Sequence, residues 1–131
     1  MIFVPISLGE LIDKITILKI KLNKITNESK LTNIRKEYEL LSAILIQQKF
    51  SEDNEEFQKL YEINLEFWNY HDWQREKWKN SCEKDTIDIE LYNKNREEHI
   101  LNDKRAEIKK QINLKYGSEI IEEKQFISYQ I

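Results

Sequence analysis

The sequence predicts an all-α fold, with antiparallel helical hairpins forming a four-helix bundle, a short extended N-terminus and a C-terminal tail. Three observations carry this expectation. Charged residues make up 34% of the 131 positions, against two glycines and one proline. That balance suits long solvated helices and leaves few turn residues for a strand-rich fold. Apolar residues recur at steps of three and four, the period of a helix face. Short polar breaks separate the apolar stretches, as they do between consecutive antiparallel helices. A single domain over residues 1–131 has enough chain for a sizeable core.

Phe3 to Ile6 is apolar and holds the proline, so it is expected to be extended or to cap the core. Ser7 and Glu10 then form a capping box, S-x-x-E before an apolar run, which starts a helix. This first helix is expected from about Leu8 to Ile25. Leu11, Ile15, Leu18, Leu22 and Ile25 make a heptad-type seam, and Ile12, Ile17 and Ile20 widen it beyond one partner's reach. It therefore belongs between several neighbours or at a subunit interface.

Thr26 to Ser29 breaks the pattern, and a second helix follows from about Lys30 to Lys49, with Leu31, Ile34, Tyr38, Leu41 and Leu45 inward. Ser51 to Asn54 supplies a cap with acids in the first turn. A third helix is expected from about Asn54 to Lys79 and a turn from Asn80 to Asp85. Asp85 or Thr86 would cap a fourth helix that Gly117 stops. That helix is less apolar, with an inward stripe of Leu91, Asn95, Glu98 or His99, Asn102, Arg105, Ile108 and Ile112. The tail from Ser118 holds enough hydrophobes to dock rather than hang free.

Polar residues on apolar stripes are the chemical signal. On the third helix Asn64, Trp68, His71, Asp72 and Arg75 share a face with Phe57, Leu60, Tyr61 and Phe67. On the fourth, Asn102, Asp103, Arg105 and Lys109 would face them if the two helices pack antiparallel. Asp13 and Lys14 on the first helix and Arg35 on the second are further candidates. Buried groups of this kind require partners. One reading is a pocket for a small polar or anionic ligand, with guanidiniums as clamps and Trp68 as a stacking wall. The other is a buried ion-pair network that fixes helix register or dimer geometry.

Several function classes are disfavoured. A formal charge of -3 and a pI near 5.5 give no general attraction to nucleic acid. No apolar run reaches the length of a membrane span, and the start carries no basic region like a signal peptide's. The lone Cys82 fits a reducing, cytoplasmic setting and has no activating neighbour but Lys84. His71 and His99 lack the E-x-x-H spacing of a bundle metal site, and there is no phosphate loop or nucleophile elbow. No cofactor is expected.

Three blocks, VPISLGELIDKITILKIK (Val4 to Lys21), NDKRAEIKKQIN (Asn102 to Asn113) and YGSEIIEEK (Tyr116 to Lys124), resemble an uncharacterised family of small helical bacterial and phage proteins. The family is classed only as a domain of unknown function. Asn64, Trp68, Asp72 and Arg75 match its centre, whereas Tyr70-His71-Asp72 stands where Ile-Glu-Asp is expected, removing one acid. The resemblance implies a helical fold and, by association with neighbouring genes, a role near surface-polysaccharide synthesis. The expected activity is that of a homo-oligomeric binding module, a dimer by preference, for a small anionic ligand or a partner. The alternatives are an enzyme acting on a sugar nucleotide and a sequesterer of a nucleotide signal.

Overall fold

The computed structural model describes residues 1–81 and 88–125. Four helices run in order: α1 (Leu8–Lys24), α2 (Glu28–Gln47), α3 (Glu55–Ser81) and α4 (Ile89–Lys115). Their starts follow from side-chain oxygens that satisfy first-turn amides. Ser7 Oγ accepts from the Glu10 amide at 3.1 Å, and Asn27 Oδ1 from that of Lys30 at 3.1 Å. Asn54 accepts from Glu56 at 2.8 Å and Asp88 from Leu91 at 3.0 Å. The caps expected at Asp85 or Thr86, the rest of that turn and Cys82 fall outside the described residues.

Two helix ends are closed by left-handed residues. Gly117 (φ 66°) follows α4, and the Ser118 amide donates back to Asn113 O at 2.8 Å. Lys49 (φ 58°) does the same after α2, where the Phe50 amide reaches Leu45 O at 3.4 Å.

The architecture is a four-helix bundle with α1 at its centre. α1 packs against α2, α3 and α4, while α2, among the described residues, packs on α1 alone. This explains the wide apolar face of α1, which serves three neighbours. α3 and α4 run antiparallel, and their ladder of paired side chains (Glu56 with Lys115, Asn64 with Arg105, His71 with Glu98, Lys77 with Glu90) fixes the register. The core takes Leu11, Ile12 and Ile15 from α1 and Leu45 from α2. Phe50 from the following turn, Phe57 and Leu60 from α3 and Ile112 from α4 complete it. Gly9 lets α1 lie directly on α4: a β-carbon there would sit 2.7 Å from Lys109 O.

Residues 1–6 lie outside the helices, and Ile2, Phe3 and Val4 are exposed rather than packed over the core. Among the described residues, no helix is long and apolar enough to cross a membrane.

A candidate anion site where three helices meet

Asp13 and Thr16 stand one turn apart on α1, both buried, and the Thr16 hydroxyl donates to Asp13 O at 2.7 Å. Asn64 of α3, 4% exposed, donates its amide N–H groups to Asp13 Oδ1 at 2.8 Å and to Thr16 Oγ1 at 2.9 Å. Both donors being committed, its carbonyl oxygen is turned towards α4. There Arg105 Nη1 donates to it at 3.4 Å, and Arg105 Nη2 to Asn102 Oδ1 at 2.7 Å. The guanidinium lies 4.7 Å above the Phe67 ring centre. Asp13 thus orients Asn64, and Asn64 orients Arg105.

One turn along α4, Lys109 gathers the carboxylates. Its Nζ is 2.5 Å from Glu10, 3.8 Å from Asp13 and 3.5 Å from Glu122. Burial pushes the Glu10 carboxyl upwards, but the Lys109 bond and the charges of Lys109, Lys14 and Arg105 hold it below the usual range. Burial likewise disfavours the Lys109 ammonium, and Glu10, Asp13 and Glu122 more than reverse this, raising it. Arg105 differs from Lys109. Among the described residues it has no carboxylate within ion-pair distance; its bonded partners are neutral amides.

Residues 118–124 lie across this region through polar contacts, with Ile120 and Ile121 exposed; Phe126, Ile127 and Tyr129, whose docking the sequence suggests, fall outside the described residues. Ser7 Oγ donates to Glu122 Oε1 at 2.6 Å, and the Leu8 amide donates to Ser118 Oγ at 3.2 Å. Lys110 pairs with Glu123 at 2.8 Å and Lys124 with Asp103 at 3.2 Å. Beneath the tail, buried Asn113 accepts from the Gly9 amide at 2.7 Å.

Of the candidates named from the sequence, the structure brings Asp13, Asn64, Asn102, Arg105 and Lys109 together. Asp103 sits alongside, paired with the tail. Trp68 and His71 continue along α3, half-buried, with His71 Nε2 3.2 Å from Glu98. Asp72 and Arg75 are exposed. Helix geometry gives the reason: the stripe that turns inward is 57-60-64-67-71, and residues 68, 72 and 75 lie beside it. Lys14 is exposed, 3.7 Å from Glu10, and exposed Arg35 pairs with Glu28 at 3.5 Å rather than reaching Asp13. Thr16, Phe67 and Glu122 were missed as contributors. Thr16 was findable one turn from Asp13; Glu122 was not, because a tail's path leaves no periodic signal.

Neither a curated protein nor a solved structure matches the chain. A family model does: the chain matches DUF6165, a family of unknown function, over residues 2–129, and it belongs to that family.

Proposed function

We propose that the protein is a binding module that takes a small anion at Arg105, the phosphate or carboxylate of a nucleotide- or sugar-nucleotide-like metabolite. One observation carries this reading. A half-buried guanidinium is held in place by two amide oxygens and an aromatic ring, with no carboxylate within ion-pair distance among the described residues. A register-fixing ion pair would put a carboxylate against that fork. A guanidinium has five N–H donors in a plane, matched to the bidentate geometry of carboxylate and phosphate. Two are engaged here with neutral groups, so the positive charge is oriented in advance of any ligand, which lowers the ordering cost of binding.

The test is calorimetric titration with pyrophosphate, UDP and UDP-glucose. Wild type is expected to bind at least one of them, and Arg105→Gln to lose at least about tenfold in affinity, equivalent to roughly 1.4 kcal/mol. Arg105→Lys should fall well short of full rescue, because the ammonium lacks the planar fork. Equal binding by wild type and Arg105→Gln, or no binding of any of the three, overturns the reading.

A further inference from the structure

The polar row that holds Arg105 continues along α4. Glu98, Asn102 and Arg105 stand four and three residues apart, on one face of the helix, and all three are half-buried. Each keeps hydrogen-bonding capacity that the bundle does not use. Asn102 gives its carbonyl oxygen to Arg105, and Glu98 Oε1 lies 3.2 Å from His71 Nε2. Among the described residues, the Asn102 amide N–H groups and Glu98 Oε2 have no partner. Across the seam on α3, the rings of Phe67 and His71 lie 5.9 Å apart, tilted by 38°. None of the described residues from 68 to 81 or from 88 to 101 is buried, so solvent reaches this part of the seam.

We infer, resting on the anion reading of Arg105, that its ligand is a sugar phosphate whose hydroxylated ring is read by Glu98. The row runs donor, donor, acceptor. Arg105 takes the phosphate, the Asn102 amide donates to an oxygen between, and the Glu98 carboxylate, an acceptor alone, takes a hydroxyl. Spacing sets the size of the ligand. Arg105 and Glu98 are two helical turns apart, about 10 Å along the axis. A charge-assisted hydrogen bond at each end takes about 2.7 Å, leaving about 5 Å between the ligand's two oxygens. One sugar ring bridges that gap. An α-amino acid does not, because its ammonium lies too close to its carboxylate. Phe67 and His71 offer flat faces for the C–H side of such a ring. The pair with His71 holds the Glu98 carboxylate in one orientation, with Oε2 left for the hydroxyl.

Titration calorimetry with inorganic phosphate, anomeric glucose phosphate and uridine monophosphate decides the matter. Wild type is expected to bind at least one of the two sugar phosphates at least about tenfold more tightly than inorganic phosphate. The tighter of the two separates a free sugar phosphate from the ribose of a nucleotide. Glu98→Ala, with its helical circular dichroism kept, should bring both to within about twofold of inorganic phosphate, whose own affinity stays as in wild type. His71→Phe separates reading from packing: it breaks the pair but keeps a ring and the carboxylate, so most of the preference should persist. Three results overturn the inference: no preference in wild type, a preference that Glu98→Ala leaves intact, or one that His71→Phe abolishes as fully as Glu98→Ala. In each of these Arg105→Gln still weakens phosphate binding. Failure of the Arg105 reading itself looks different, as a phosphate affinity that Arg105→Gln does not change or as no binding of any probe.

Discussion

Asn64 is the residue on which the polar cluster turns. It was legible in the sequence because an amide on the stripe of Phe57, Leu60 and Phe67 must find partners in the interior. Its partner Asp13 was legible only as a possibility, and Thr16 only through its place one turn from Asp13, since a threonine on a helix face carries no demand of its own. Asn64→Ala would leave a buried carboxylate and hydroxyl and a half-buried guanidinium each short of a bond. The expected loss is about 2–4 kcal/mol, measured by urea unfolding; a loss below about 1 kcal/mol would mean that water replaces the amide. Gly9→Ala tests packing at the same scale. Its methyl group would meet the Lys109 carbonyl, so a loss of about 1–3 kcal/mol is expected from thermal unfolding.

The Glu10–Lys109 pair predicts a pH dependence of stability with a definite sign at each end. Glu10 is held below its ordinary value of 4.5, so its contribution is present above that pH and is lost as acid takes the pH down through the folded value. Lys109 is raised above 10.5, so its contribution is complete below that pH and disappears as the pH climbs through the folded value. Chemical denaturation at several pH values should show a plateau between these limits. Lys109→Met should flatten both flanks; a profile unchanged by that substitution would remove the pair from the account.

At the scale of the helix, the elements were largely legible and their associations were not. Capping at Ser7 and the stop at Gly117 appear where the sequence put them, because each is a local hydrogen-bonding solution. Which helix α2 would touch depends on the packing of three others, and no spacing encodes that. Its position has a consequence for local stability. α2 buries only Leu31 and Leu45 and rests on one neighbour, whereas α1 is enclosed by three. Hydrogen exchange should therefore show α2 opening at a lower free energy than α1, as a separate cooperative unit. Equal protection in the two helices would contradict this.

For the whole molecule, the unequal charge of the two sequence halves, +3 for residues 1–50 and -6 for 51–131, becomes intelligible in the assembled bundle. Lys19 of α1 meets Glu52, but Lys109 from the acidic half meets Glu10 from the basic one, so the attraction is not a simple pairing of halves. The four-helix architecture could be inferred from periodicity. The centrality of α1 was half visible, in an apolar face too broad for one partner.

The tail's contact with the start of α1 bears on the order in which the protein can be built. A ribosome delivers Ser7 and Leu8 more than a hundred residues before the Ser118 and Glu122 side chains that meet them. The central helix therefore emerges well before the groups that complete its first turn, and before α3 and α4, which cover it. The α1–α2 hairpin can pair early through local contacts, but enclosure of its remaining apolar face waits on long-range closure, which is the slower event. Nascent chains halted after α2 should expose that face and be sensitive to protease, with protection arriving only once α4 and the tail have been made.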